Sequence, residues 1–503
     1  MTNNFGGSWI GYHARVSPDK IAMRDLADGQ LLSYAEFDER IGRVAGALRD
    51  AFGVGRGDRV AMLSRSCVRA FEIMYACARL GAIFVPLNVR LSDPELGVLI
   101  ADAEPAVVTG EGELLASGVA AGIPALSWEG GYEQALASGV VPDPVPLDAD
   151  DPWVIIYTSG TTGLPKGVVV THAGSAATML ASLIGGAVTA ESVCITALAV
   201  WHVAGLNLFA NPVLFAGGTV LVMRSFDPGR ALDLLTRKRE RVTHFCGVPA
   251  HYQFMRALPG FATASFRPFF AGVGGAPVPA ALMRAWAERG VGLRAIYGIS
   301  EAGSTVAMSP PDGTAAAPGD VGVPAWHLRC RVTSGGRGCP PGEPGELEIA
   351  GASVTPGYWR RPEATARAIE DGWLHTGDIA VIDADGRVRI VDRIKDMYIS
   401  GGENVYPAEV EEVLCRHPAV AEVAIVGVAD DRWGETGSAW VVPADGAQAD
   451  PGDIWAWARA RLAEFKVPRD IHVVGELPRN ATGKVLKAEL RRRAVRAAAA
   501  PER

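Results

Sequence analysis

At 503 residues the chain is longer than one hydrophobic core usually supports, and with about half of its residues apolar it can fill two or more. A formal net charge of −8 argues against a nucleic-acid coat or a strongly basic membrane-surface protein, but leaves anionic small molecules open as substrates, because local loops set the field at a site. The seven cysteines, at 67, 77, 194, 246, 330, 339 and 415, show no C-x-x-C pair, and residues 1–7 do not lead from a charged segment into an apolar run. Reduced thiols in a cytoplasmic protein without a secretion signal are therefore expected.

In chain order, a strand is predicted over 59–64, a helix over 68–80 from apolar residues at helical spacing, and strands over 82–86 and 106–108. The stretch 195–223 carries no formally charged residue and is long enough to span a bilayer. His202, Asn207, Asn211, Pro212 and Gly217-Gly218 interrupt it, which favours a buried helix followed by a core strand and leaves only a peripheral membrane contact open. Apolar runs at 218–223 and 242–248 continue an alternation of strands and helices, the mark of an α/β architecture with buried sheets. A Gly- and Pro-rich loop is expected over 310–320, and from 321 the texture turns to short strands with frequent turns, including Asp385-Gly386 as a hairpin. Beyond 395, a helix over 408–416, a strand over 423–428 and a helix over 453–465 give a separate small α+β pattern. The expected organisation is a large domain of α/β sheets with a β-rich subdomain, residues 1–394, and a small mobile C-terminal domain, residues 395–503.

One segment carries chemistry on its face. Tyr157-Thr158-Ser159-Gly160-Thr161-Thr162-Gly163-Leu164-Pro165-Lys166-Gly167 lies between an apolar run at 153–156 and a β-branched run at 167–170, so it reads as the tip between two strands. Glycine lets backbone N–H groups face an anion, the hydroxyls add donors, and Lys166 adds a positive charge. A Walker A loop would need Gly-Lys-Ser/Thr opening a helix, and here Lys166 precedes Gly167 and a strand.

This loop resembles the signature of the adenylate-forming superfamily, which holds acyl-CoA and aryl-CoA ligases, luciferases and the adenylation domains of peptide synthetases. Further blocks follow in that family's order: Gly274-Gly275-Ala276-Pro277, Tyr297-Gly298-Ile299-Ser300-Glu301, Thr376-Gly377-Asp378, Asp392-Arg393-Ile394-Lys395-Asp396, Ser400-Gly401-Gly402-Glu403-Asn404 and Pro478-Arg479-Asn480-Ala481-Thr482-Gly483-Lys484. The resemblance spans nearly the whole chain. It implies an acid–thiol ligase that uses ATP, Mg2+ and coenzyme A to convert an apolar carboxylic acid first to an acyl-AMP and then to an acyl-CoA.

The roles it implies fall on residues of this sequence. Thr158, Ser159, Gly160, Thr161, Thr162, Gly163 and Lys166 would hold the triphosphate, with Thr158 and Glu301 on Mg2+, since a hard cation prefers carboxylate and hydroxyl oxygens. Gly274, Gly275, Ala276, Tyr297, Gly298 and Ile299 would meet adenine, Ser300 the α-phosphate, and Asp378 with Arg393 the ribose. Lys484, Glu301, Thr162, His202 and Lys395 form the implied catalytic set. Lys484 stands between carboxylate and α-phosphate, and Lys395 is the hinge about which the small domain swings. That swing would deliver Ser400, Gly401, Gly402 and Glu403 to the pantetheine arm. Without the resemblance, Lys484 would be a surface lysine and Asp378 a turn residue.

The acyl pocket is expected at Trp201, His202, Val203, Gly205, Val248, Gly274, Gly298 and Ser304. Val203-Ala204-Gly205 stands where peptide synthetases place an acid for the substrate amine, which disfavours an amino acid. No arginine lies in these segments, the nearest being the flanking Arg294, which weakens a dicarboxylic acid. An apolar monocarboxylate remains, whether aliphatic, aryl or polycyclic. The basic run Arg491, Arg492, Arg493 and Arg496 reads as a solvated helix end, with contact to CoA phosphates as the alternative. No carrier-like domain is seen, which favours free CoA. The rivals are an enzyme that loads acyl groups onto a carrier protein and a catalytically silent binder, and a homodimer is compatible with each.

Overall fold

The computed structural model describes residues 8–158, 165–237, 239–310, 319–400, 403–430, 432–479 and 484–499. The chain divides into two compact units: residues 1–316, 321–329 and 349–374 form the first, and residues 317–320, 330–348 and 375–503 the second.

In the first unit a six-stranded sheet runs in the order Ala125–Ser127, Val107–Gly110, Arg59–Leu63, Ile83–Pro86, Pro152–Thr158, Lys166–Thr171, parallel except for its last pair. A second sheet places Leu293–Tyr297, Phe270–Gly274, His244–Gly247, Val193–Thr196, Thr219–Val222 and Ile21–Asp25 side by side, all parallel. Apolar residues of both sheets join one core with the helices Tyr34–Phe52 and Val68–Leu80, so these helices lie between them. That sandwiching explains their sequences. Val68–Leu80 is buried on nearly every face, as a helix covered on both sides must be, and it still carries Glu72, fully buried and bound by Arg40 at 2.5 Å and by the Tyr132 hydroxyl at 2.6 Å. Tyr34–Phe52 starts at a capping box of Ser33 and Glu36 and presents Phe37, Ile41, Val44 and Leu48 to the core. Two more clusters cover the outer faces: the helices Pro228–Thr236, Pro249–Arg256 and Ala280–Ala287 on the second sheet, and Asp93–Ala103 on the first.

The α/β alternation, the helix over 68–80 and the neighbouring strands are as expected. The 195–223 stretch differs. It opens with the end of a strand, Val193–Thr196, and its helical part breaks into Val203–Asn207 and Ala210–Ala216 before the strand Thr219–Val222. Pro212, which cannot donate a backbone hydrogen bond, sits in the first turn of the second piece, where no donor is needed. Among the described residues no helix is long and apolar enough to cross a membrane.

In the second unit the strand Val388–Arg393 returns antiparallel to Trp373–Ile382 through the Asp385-Gly386 turn. From Tyr398 onward a five-stranded sheet is built on the long hairpin Val420–Asp430 and Gly434–Pro443. The helices Pro407–Leu414 and Pro451–Arg459 pack into one core of this sheet and the helix Lys487–Ala499 into another. The helix expected over 453–465 ends at Arg459. A separate 3-10 turn, Glu464–Lys466, follows, which lets Leu462 and Phe465 both pack against the core.

Candidate active site

Three parallel strands of the second sheet, His244–Gly247, Phe270–Gly274 and Leu293–Tyr297, end level with one another, Gly247 opposite Val273 and Gly274 opposite Ile296. Their carboxyl ends carry Val248, Gly275-Ala276 and the run Tyr297 to Glu301. This is where open parallel sheets bind ligands. Ile299, Ser300 and Glu301 are all half-buried. Glycine is dictated at two points: a Cβ on Gly274 would overlap the Ile296 carbonyl, and one on Gly298 would overlap the Ser304 carbonyl. The 297–304 segment thus folds back onto itself, with Val306 N–H bonded to the Tyr297 carbonyl at 2.8 Å and Ser304 held at φ 117. A non-glycine residue in that region stores strain.

The strands Pro152–Thr158 and Lys166–Thr171 pair antiparallel with Thr158 opposite Lys166, so the expected two strands flank the Gly- and Thr-rich segment. Ser159, Gly160, Thr161, Thr162, Gly163 and Leu164 lie outside the described residues. Beside the hairpin, Tyr358 joins two expected site residues. Lys166 Nζ lies 4.9 Å from its ring centre, and its hydroxyl donates to Glu301 Oε1 at 2.9 Å. Burial, and then the Glu301 carboxylate, push that hydroxyl's pKa up, so Tyr358 stays a donor. Sequence reasoning missed Tyr358, which lies 57 residues from its partner. Its signal was the Thr355-Pro-Gly-Tyr-Trp segment, whose Thr355 N–H binds the Glu301 carbonyl at 2.8 Å. The Tyr358 bond engages Glu301 Oε1, and the Thr158 hydroxyl lies 3.5 Å from the Lys166 carbonyl; a carboxylate and a hydroxyl are the donor types a hard cation such as Mg2+ takes. Among the described residues no group of three or more His, Cys, Asp or Glu side chains is gathered to hold a metal alone.

At the expected acyl pocket, Trp201 is buried with its indole N–H unpartnered, and His202 precedes the short helix Val203–Asn207. Gly205 packs on the Ala199 carbonyl with no room for a side chain. Burial pushes the His202 imidazole down to about 4, with the Arg90 guanidinium adding to the effect, and its Nε2 has no partner. His251, stacked on Phe226 at 3.8 Å, is lowered to about 4 by the same two causes, and its Nδ1 is also unpartnered. Both imidazoles are thus held neutral, chiefly by burial and secondarily by the Arg90 charge. Arg294, the arginine expected nearest to the pocket, is bound to the backbone carbonyls of Gly185 and Ser309 and lies over the Phe270 ring at 4.4 Å. The positive charge felt here comes instead from Arg90, in a segment not assigned to the pocket from sequence.

In the second unit, Asp378 and Arg393 are opposite each other on paired strands and bridged at 3.0 Å, with Asp378 buried. Lys484 is half-buried beside them. Its pKa is pushed down to about 8, first by burial and then by Arg393 and Lys395, against the opposing pull of Asp378 and Asp396. Lys395 is lowered as well, by burial and then by Arg393. The structure thus gathers Asp378, Arg393, Lys395 and Lys484 from three separate blocks. Ser400 is buried with its hydroxyl unpartnered, and Glu403, opposite it in a hairpin, is exposed. Gly401, Gly402 and residues 480–483 lie outside the described residues. In the basic run, Arg492 and Arg493 pair with Glu489, as a solvated helix end would, whereas Arg491 turns inward to Asp396.

Comparisons with known proteins give the family of the chain. The AMP-binding enzyme family matches residues 11–359, and the AMP-binding enzyme C-terminal domain matches residues 409–484. A feruloyl-CoA synthase of Amycolatopsis sp is 41% identical, covering 98% of this chain and 100% of its own. A fatty acid–[acyl-carrier-protein] ligase of Streptomyces coeruleorubidus is 37% identical over 96% and 95% of the two chains. The crystal structure of ATP-bound MatB from Rhodopseudomonas palustris matches with a TM-score of 0.88 at 34% identity, covering 98% of each chain. The chain belongs to the AMP-binding enzyme family, and so to the adenylate-forming superfamily.

Proposed function

We infer that this protein is an AMP-forming acid–CoA ligase. A carboxylate oxygen attacks the α-phosphorus of ATP in line with the departing pyrophosphate, and the thiol of CoA then attacks the acyl carbon, releasing AMP. Anion meets anion in the first step, so positioning and charge neutralisation carry the catalysis. The 158–166 segment with Lys166 would hold the leaving phosphates, Glu301 and Thr158 would hold Mg2+, and Tyr358 orients Glu301. Mg2+, when bound, neutralises charge on the phosphate oxygens. The backbone at Gly274, Gly275, Ala276 and Gly298 meets the adenine, Asp378 accepts from the ribose hydroxyls, and Lys484 donates to the carboxylate and α-phosphate. Ser400 through Glu403 then accompany the pantetheine arm.

One observation carries this reading: Lys484, in a basic tail that would otherwise be surface, is half-buried among Asp378, Arg393 and Lys395 with its pKa lowered. Such a perturbed group is the mark of a working site. The acid is an aryl monocarboxylate with a polar ring substituent. The buried, unpartnered ring nitrogens of His202 and His251 suit an acid whose ring brings its own hydrogen-bonding group better than a saturated tail. The 41% identical feruloyl-CoA synthase supports this choice. The reaction runs in the cytoplasm, where ATP and CoA are supplied and the seven free thiols stay reduced. A second acceptor, the thiol of a carrier protein, is favoured by the 37% identical carrier-protein ligase.

The test is AMP release over aliphatic, aryl and polycyclic acids with and without CoA, beside ATP–pyrophosphate exchange. CoA-dependent release greatest for hydroxylated or methoxylated aryl acids is the expected result. Exchange without CoA turnover selects the carrier-loading reading, and the absence of both overturns the assignment.

A further inference from the structure

The helix Pro407–Leu414 has Tyr406 at its N-cap, which provides no side-chain bond to the free N–H groups of the first turn. Asp392 supplies it from elsewhere. Its Oδ2 accepts the Ala408 N–H at 2.8 Å, while its Oδ1 accepts the Arg393 N–H at 2.7 Å. Asp392 is buried, and the nearby cation is Lys487, whose Nζ is bound to Glu411 Oε1 at 2.7 Å and whose charge acts on Asp392. Glu411 Oε1 is itself fixed by the Ile425 N–H at 2.8 Å.

These partners fall on opposite sides of Lys395. Asp392 belongs to the strand Val388–Arg393, paired to Trp373–Ile382, whereas Ala408, Glu411 and Lys487 belong to the elements that follow. The downstream side is firmly tied at the pivot, because Arg491 donates to the Lys395 carbonyl at 3.1 Å and to Asp396 at 2.9 Å. A rotation about Lys395 would carry the Arg491 clamp along intact, but it must pull Ala408 and Lys487 away from Asp392. Lys487 would keep Glu411, while Asp392 would keep only its own neighbour's N–H.

We propose that Asp392 is a state-selective latch: by capping the Pro407–Leu414 helix across the pivot and facing Lys487, it holds the arrangement in which Lys484 lies beside Asp378 and Arg393, and it opens for the CoA step. Asp392 and Lys487 are positioning residues that act through the placement of Lys484. The inference rests on the two-step reading and on the Lys395 pivot.

The test uses the full chain. Amide exchange at Ala408, resolved by fragmentation, is expected to be at least about tenfold slower with Mg·ATP than with AMP plus CoA, and Asp392→Ala should erase the difference. Equal exchange in the two liganded states overturns the latch. A double-mutant cycle of Asp392→Asn and Lys487→Met then reads both half-reactions, pyrophosphate exchange and thioester formation from supplied acyl-AMP, using the best acid of the panel. Coupling of about tenfold in the first and none in the second is expected. Equal coupling in both assigns a merely structural role and overturns the proposal. Absence of CoA-dependent AMP release in the unaltered enzyme would remove the ligase reading, while Ala408 exchange with nucleotide would still report on the latch.

Discussion

Lys484 shows how far a residue's surroundings reset its chemistry. Its ammonium is held at about 8, below the ordinary lysine value, by burial and by two neighbouring cations, so it begins to lose its proton where an exposed lysine keeps it. In the proposed adenylation step Lys484 acts in its charged form. The kcat/KM of ATP–pyrophosphate exchange should therefore fall about tenfold per pH unit above about pH 8, and the limb in kcat should lie higher, because bound phosphates favour the cation. Lys484→Ala should remove the limb and slow adenylation by roughly two to three orders of magnitude, the scale of a lost preorganised charge. The sign for stability is the opposite of that for activity. A lysine whose folded-state pKa lies below its unfolded value destabilises the fold while charged, so this contribution improves as pH rises from about 8 toward the unfolded value. Lys484→Met should accordingly raise the thermal midpoint at neutral pH while abolishing adenylation, as measured by scanning calorimetry beside the exchange assay. Lys484 was legible from its motif. Tyr358 was not, because a hydroxyl that reaches back to Glu301 is a product of the fold rather than of sequence spacing. Tyr358→Phe keeps the ring beside Lys166 and deletes only the bond to Glu301, so a loss of about tenfold in kcat/KM for Mg·ATP is expected, with unchanged stability.

At the level of elements, patterns of burial could be read from the sequence and the fate of single polar groups could not. The helix Val68–Leu80 follows from its apolar run, but that pattern does not say that Glu72, at its centre, is fully buried and bridged to Arg40 on the neighbouring helix. Without Glu72, Arg40 keeps its two bonds to Glu133, but the buried Tyr132 hydroxyl loses its acceptor, at a cost of about 1 to 3 kcal/mol. Glu72→Ala should lose stability on that scale in denaturant unfolding of the first unit, whereas Arg43→Ala, whose ion pair with Glu39 is exposed, should be close to neutral. The 195–223 stretch was legible as buried, but its break into two short helices depended on the local chain at 208–209 and on Pro212. The 297–304 segment teaches the same lesson for the site. The resemblance of its motif implied a nucleotide contact, yet only the backbone shows that residue 298 has no space beside the Ser304 carbonyl. Gly298→Ala should leave the protein folded while displacing that segment, and nucleotide affinity measured by calorimetry should fall by tenfold or more.

For the whole molecule, one chain must serve two reactions whose requirements conflict. In the proposed mechanism adenylation uses Lys484 at the reacting carboxylate, and the thiol step uses that space for the pantetheine sulfur. The family resemblance implied a pivot at Lys395. The compact units fall elsewhere, with residues 330–348 and 375–394 grouped with the C-terminal part, because contacts define a unit in one arrangement whereas a pivot is defined by what must change between two. Around Lys395 the chain makes a tight turn, Asp396 and Met397 both donating to the Arg393 carbonyl at 2.9 and 3.1 Å. Lys395→Pro keeps both of those donors and fixes one dihedral of the pivot itself. If Lys395 is where the chain turns between the two steps, this variant should retain pyrophosphate exchange to within about tenfold, accumulate acyl-AMP, and fail to form the thioester even when acyl-AMP and CoA are supplied together. Rapid-quench measurement of each step separates this from a general loss. An equal fall in both half-reactions would mean that Lys395 serves the adenylation arrangement alone and that the chain turns elsewhere.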